Sequence, residues 1–391
     1  MPSLGIERGS SSSKAAKSDG GGGFLLEEHS QHDGSVNCMA FSAELSMLVT
    51  GGDDGTVIAW SVVPLGSTCL HVMRGHQKHV TCLAVYDDFA LSGSADASIR
   101  KWNMKTGECV FVYEGHSAMV NRLLTTGALV ISGSYDKTAR VWSMETNRLE
   151  RSSDACLRIL IGHTKGVYPI IFVPDAQQYG IEMTANEGKG DDDQTTGGDL
   201  VITGSADGTA RSWAMASGKE LRQFRGHSGP VHSLAVDAEA LVLFTGSADG
   251  FIISWDVACG DQLRLFKGHS QPITALCVVG KFLYSASADR TAKSWICEFG
   301  DEAVTFKGHG RSVTCLAYCD GIVYTGCGDG MIRAYESRSG VLKRLFRGHD
   351  STINCIKVVG ARLMAGSFDG ALRIWNLRDV KEATDPSKFP K

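Results

Sequence analysis

The chain has 391 residues, of which 46 are Gly and 8 are Pro, and Lys plus Arg (39) nearly balance Asp plus Glu (43) for a formal charge of −4. Glycine at about 12% and proline at about 2%, against usual shares of roughly 7% and 5%, imply many tight turns and exclude collagen-like or Pro-rich disordered chains. The near-balanced charge gives no basis for a nucleic-acid or polybasic membrane binder, and no run approaches the ~18 apolar residues of a membrane-spanning helix.

Residues 1–23 read as a flexible tail: scattered Arg8, Lys14 and Lys17, the serine run Ser10 to Ser13, then Gly20 to Gly23. Its serines are candidate phosphorylation sites. No apolar h-region of a secretory signal is visible, and the Met-Pro start excludes N-myristoylation. The twelve cysteines then read as reduced thiols of a cytoplasmic, or alternatively nuclear, protein.

From His32 onward the chain repeats. Gly-His recurs at His76, His116, His163, His227, His269, His309 and His349, with Gln31-His32 as a degenerate first member. Asp54, Asp96, Asp136, Asp207, Asp249, Asp289, Asp329 and Asp369 run in step. Six residues after each comes an aromatic: Trp60, Trp102, Trp142, Trp213, Trp255, Trp295, Tyr335 and Trp375. Four before each comes a hydroxyl, at Thr50, Ser92, Ser132, Thr203, Thr245, Ser285 and Thr325, with Ala365 the exception. Each unit also holds four short strand patterns, as in Cys82–Val85, Phe89–Ser94, Ile99–Trp102 and Cys109–Tyr113.

These spacings resemble those of the WD-repeat β-propeller family over about residues 24–378. The resemblance implies an all-β, single propeller of eight four-stranded blades, with seven as the alternative. It also implies a buried relay in each blade, Trp to Ser/Thr to His to Asp. The relay members are Trp102, Ser92, His76 and Asp96; Trp142, Ser132, His116 and Asp136; Trp255, Thr245, His227 and Asp249; and Trp295, Ser285, His269 and Asp289. A donor-only indole, a two-way hydroxyl, a neutral imidazole and an accepting carboxylate satisfy one another in that order. Blade seven, with Tyr335, and blade eight, with Ala365, break the pattern and are expected to be the softest. A phenol donating to Thr325 is the expected substitute in blade seven.

A ring must hide its free edge. The apolar run Phe24-Leu25-Leu26-Glu27-Glu28 is expected to supply the outer strand of blade eight, and residues 379–391 form a polar tail. Residues 174–199 are an insert between the first and second strands of blade four. It is acidic (Glu182, Glu187, Asp191 to Asp193) and lacks calcium-loop spacing. It reads as a solvated loop or, alternatively, as a docking segment for a basic partner.

No Walker loop, Gly-x-Ser-x-Gly elbow or His-Glu-x-x-His occurs, the cysteine and histidine spacings make no zinc site, and no cofactor is expected. Function is therefore expected in binding of proteins or peptides, by a monomeric propeller inside a larger complex and without enzymatic activity. In the family resembled, contacts come from the narrow face, at three and five residues after the repeat His and one before the repeat Asp. On these positions large residues gather at Met119, Tyr135 and Tyr168 on blades three and four, and at Phe368 on blade eight beside Asn37 and Asp53 on blade one. Few cations occur among them, which disfavours an acidic ligand. A scaffold or adaptor is the first reading. Substrate recruitment to a ubiquitin ligase is the second, since Trp375-Asn376-Leu377-Arg378 resembles a receptor motif of such complexes.

Overall fold

The computed structural model describes residues 24–63, 66–146, 154–174, 198–237 and 239–380. The expectations for the 1–23 tail, the acidic core of the insert and the last eleven residues lie outside them. Among the described residues every regular element is a strand. The strands form eight antiparallel four-stranded sheets. Blade one is Val36–Ser42, Met47–Gly52, Val57–Val63 and Gly66–Met73. Blades two to seven follow at 80–113, 120–161, 167–225, 231–266, 273–306 and 313–346. The eight-bladed reading holds and the seven-bladed alternative falls.

Burial explains why these segments are strands. The second strand of each blade lies between two neighbouring blades and is covered on both sides. Hence Met47–Gly52, Leu200–Ser205 and Ile322–Cys327 are buried at every position and read as continuous apolar runs rather than alternating ones. Each core cluster is shared across a junction. Met47, Val49, Val57, Ala59 and Met73 of blade one pack with Val80, Ala90, Trp102 and Met104 of blade two. Leu48, Ile58, Trp60 and Val62 pack with Met364, Leu372 and Ile374 of blade eight, which closes the circle. Close blade approach explains one class of glycine: a Cβ on Gly51 would lie 2.5 Å from Cγ1 of Val80.

Blade eight takes three strands from 353–376 and its fourth from the other end of the chain. Leu25–His29 pairs antiparallel with Leu372–Asn376, Leu25 opposite Trp375 and His29 opposite Leu372. The N-terminal strand also grips blade one: Nε2 of His29 is 2.7 Å from Oγ of Ser67, and its ring lies 4.9 Å from Trp60. Past residue 378 the chain still belongs to the core, because Val380 is buried in the blade-eight cluster. That extends the propeller beyond the expected boundary.

The insert leaves after Val173, at the end of the first strand of blade four, and returns at Leu200. It therefore enters and leaves at the end of the blade opposite the Gly-His loops.

Candidate binding face

The relay geometry is complete in blades one to six. In blade two the indole of Trp102 donates to Oγ of Ser92 at 2.8 Å. Ser92 lies 2.7 Å from Nε2 of His76, and Nδ1 of His76 lies 2.9 Å from Asp96. Because the indole can only donate, the hydroxyl proton goes to Nε2 and the Nδ1 proton to the carboxylate. Blades three, five and six repeat this with Trp142, Ser132, His116 and Asp136, with Trp255, Thr245, His227 and Asp249, and with Trp295, Ser285, His269 and Asp289. Blades one and four do so through His32 and His163. Each Asp also accepts backbone N–H bonds from the residue after the His and from its own turn, as Asp96 does from Gln77 and Ser98. Burial raises the relay carboxylates, but the side-chain bonds from the turn hydroxyl and the relay histidine, with these backbone N–H bonds, outweigh it and hold Asp96 and Asp207 below the usual range, Asp207 at about 2. Sequence reading missed a further hydroxyl two residues after the Asp (Thr56, Ser98, Thr138, Thr209, Thr291) that donates to the same carboxylate. Its spacing was visible.

Blades seven and eight differ, and one expectation needs correcting. Tyr335 does not donate to Thr325; its hydroxyl donates to the Lys307 carbonyl at 2.6 Å. The longer reach of a phenol carries it past the threonine. Asp329 pairs with Arg333 at 2.9 Å, and Nδ1 of His309 is left without a partner. In blade eight Ala365 offers no hydroxyl. Nε2 of His349 is unpartnered, and the Trp375 indole reaches the Arg347 carbonyl at 3.3 Å.

Burial, with Arg333 adding to it, lowers His309 to about 4. A histidine depressed in the folded state is protonated first in the unfolded chain, so its stabilising contribution is full above pH 6.5 and lost as pH falls toward 4. The expected loss is on the order of 3 kcal/mol. Asp329, held near 2, acts below that window. Melting temperatures between pH 7 and 4 should fall less steeply for His309→Asn than for the wild type. Equal slopes contradict this.

At the mouth of the central channel the structure reassigns most of the face. Each innermost strand has a β-bulge at the fifth residue after the His, as between Val36 and Cys38. A bulge leaves that residue unpaired and re-aims its side chain. In six blades the side chain crosses to the next blade's backbone. Asn37 donates to Val80 O at 3.0 Å, Asn121 to Val167 O at 2.7 Å, Thr274 to Val313 O at 2.7 Å and Asn354 to Val36 O at 2.9 Å, and Thr81 and Thr314 bond Val120 O and Ile353 O. These residues stitch blade to blade. The Asn37 amide also donates to Asp53 at 2.8 Å, so these two serve each other.

The stitch is open at blades four and five, where the same slot holds Tyr168 and His232. In blade four the bulge widens to Tyr168 and Pro169, between Val167 and Ile170. Freed there, Tyr168 meets Tyr135 edge-on, ring centroids 6.4 Å apart, and His232 at 5.9 Å. Tyr135 is 55% exposed and lies over Gly166, where a Cβ would come within 3.0 Å of its ring. The Tyr135 N–H bonds the Met119 carbonyl at 2.8 Å, which places Met119 at the same rim. The structure thus brings together Met119, Tyr135 and Tyr168 and adds His232, which sequence reading left out because its neighbours belong to another repeat. Phe368, 62% exposed, stands apart on blade eight, across the ring from blade four. Among the described residues no cluster of three or more His, Cys, Asp or Glu could hold a metal, and no helix is long and apolar enough to cross a membrane.

Comparison with known proteins agrees with this architecture. The family model described as "WD domain, G-beta repeat" matches residues 23–61, 67–103, 107–143, 218–256, 260–295, 300–336 and 340–376. The chain belongs to this family of WD40 β-propellers. The unit interrupted by the insert goes unmatched, yet it builds blade four. WD40 propellers are generally non-catalytic scaffolds for protein interaction. Among curated relatives, Mitochondrial division protein 1 of Schizosaccharomyces pombe is 32% identical over 80 residues, covering 20% of this chain and 12% of that one. The p21-activated protein kinase-interacting protein 1-like of Danio rerio is 37% identical over 78 residues, covering 19% and 20%. The chain spans a fifth or less of the length of these relatives. Among solved structures, the computationally designed Ika8 protein matches with a TM-score of 0.73 and 29% identity, over 88% of this chain and 97% of that one. Saccharomyces cerevisiae Sqt1 matches at 0.76 and 15%, over 90% and 98%.

Proposed function

We propose that the protein is a non-catalytic scaffold or adaptor that holds a protein or peptide partner against the narrow face of its ring. The observation that carries this is the aromatic group Tyr135, Tyr168 and His232, set where the inter-blade stitching is open. Exposed aromatics fixed on a rigid rim are characteristic anchors of interfaces. The Ser, His and Asp residues that could suggest hydrolytic chemistry are already bonded to one another in the relay. Adaptor work inside a larger complex, as a single ring in a reducing compartment such as the cytoplasm, fits a chain whose twelve cysteines are all free. The units of the form Gly-His-x-x-x-Val-x-Cys-Leu, the insert in unit four and Tyr335 also resemble WD repeat-containing protein 86.

Affinity purification of tagged wild type and of the Tyr135→Ala, Tyr168→Ala, Phe368→Ala triple variant tests the reading. The variant should keep its melting temperature and lose partners. Retention of every partner overturns it. The second reading, recruitment to a ubiquitin ligase, is favoured by Arg378, exposed at the end of the Trp375-Asn376-Leu377-Arg378 segment. Recovery of cullin-ligase subunits with both proteins would select it.

A further inference from the structure

The aromatic group does not stand in a neutral surrounding. Lys165 is next to Gly166, on which Tyr135 rests, and Lys137 is two residues beyond Tyr135. Both are exposed. Arg122, also exposed, follows the Asn121 whose amide bonds Val167 O beside Tyr168. Among the described residues no hydrogen bond or ion pair engages these three cationic heads. The nearby acids Asp136 and Asp207 are taken by His116 and His163.

The loops around the rest of the ring differ in charge. The turn position after the repeat Asp is left-handed throughout and is glycine in five blades, including Gly55 (φ 71°) and Gly208 (φ 82°). Lys137 occupies it at φ 76°, as Ala97 (φ 71°) and Arg290 (φ 68°) do on blades two and six. On blades eight and one the same loops carry Asp350, Asp33 and Asp53 beside Phe368, while Lys78, Arg290 and Arg311 stand exposed on those of blades two, six and seven.

We propose that the rim of blades three to five binds an acidic peptide segment of a partner protein. An aromatic or large apolar side chain of the segment lies on Tyr135, Tyr168 and His232, while its carboxylates meet Lys137 and Lys165. The aspartates of blades eight and one repel the same segment, and the aromatic group, present only on blades three to five among the described residues, sets where it lies. The scarcity of cations at the narrow-face positions had argued against an acidic ligand. The cations come instead from the neighbouring turn and loop positions of Lys137 and Lys165. This inference rests on the reading of the aromatic group as an interface.

Three fluorescein-labelled ten-residue peptides with a central Trp test it by anisotropy with the full chain: one of Glu and Asp, one of Lys, one of Ser and Gly. The acidic peptide should bind at least tenfold more tightly than either other and weaken on raising salt from 50 to 300 mM. Lys137→Glu with Lys165→Glu should weaken it at least tenfold without changing the melting temperature, and Tyr135→Ala with Tyr168→Ala by a similar factor. No measurable binding of the acidic peptide, equal binding of the basic one, or indifference to the lysine reversals overturns the proposal. If the lysine reversals leave partner capture from cells intact while the tyrosine variant loses it, the interface stands and the acidic class falls. If neither variant loses partners, the interface reading itself falls.

Discussion

A chain lacking residues 1–28 should melt roughly 6 °C below the full chain, and a chain lacking residues 1–20 should not. The longer truncation removes nearly all of Leu25–His29, the outer strand of blade eight. Lost with it are the ladder to Leu372–Asn376, the bond from Asn376 N–H to Phe24 O at 2.8 Å, and the Phe24 ring under the Arg344 guanidinium at 3.7 Å. Arg373 loses Glu28 at 2.9 Å, and Ser67 on blade one loses Glu27. Several hydrogen bonds at about 1 kcal/mol each, with two partly buried apolar side chains, total on the order of 5 kcal/mol. The strand Leu372–Asn376 then becomes an open edge, so aggregation should accompany the loss. The shorter truncation keeps all these contacts. Thermal melts of the two proteins decide it, and equal stability refutes the closure argument.

Ser92→Ala in blade two should destabilise by about 2–4 kcal/mol, and Ala365→Ser in blade eight should stabilise by about 1–2 kcal/mol. Ser92 is fully buried and serves both the Trp102 indole and Nε2 of His76, so its removal orphans two groups at once. Ala365 occupies the equivalent slot, equally buried, next to an unpartnered Nε2 of His349. A hydroxyl there restores the relay geometry that other blades accommodate. Denaturant unfolding of both variants measures the two signs. Hydrogen exchange adds a local test: the amides of Arg362–Ser367 and Leu372–Asn376 should open before those of Phe89–Ser94 and Ile99–Asn103, and the gap should narrow in Ala365→Ser. Opening of blade two first, or a destabilised Ala365→Ser, contradicts the account.

The relay was legible because its members recur at fixed spacings within each unit. A hydrogen-bonded group drawn from one forty-residue unit leaves its period in the sequence, and the departures at Tyr335 and Ala365 showed by breaking it. Where the Tyr335 hydroxyl goes was not legible: the choice of Lys307 O over Thr325 depends on the length of a side chain inside a packed blade. The N-terminal strand was legible for a different reason. A closed ring needs a fourth strand for its last sheet, and only one apolar run was left over.

The candidate site was half legible. Tyr135 and Tyr168 stand out by residue type, but the sequence assigns Asn37, Thr81, Asn121, Thr274, Thr314 and Asn354 to the same positional class as Tyr168. Their use as stitches depends on the neighbouring blade's backbone, some forty residues away in five cases and 318 residues away where Asn354 closes the ring onto Val36. By itself, then, the sequence determined the repeat, the spacing of the relay residues and the closing strand, because each follows from local periodicity and from the need to cover a free edge, whereas eight blades rather than seven was decided by the eight sheets of the structure. Only the tertiary structure decided which narrow-face residues are already employed, that His232 joins two tyrosines from other blades, and that Lys165, beside the Gly166 on which Tyr135 rests, belongs to the same rim as Lys137. Those relations arise between blades, where proximity is set by the closure of the ring and leaves no period along the chain.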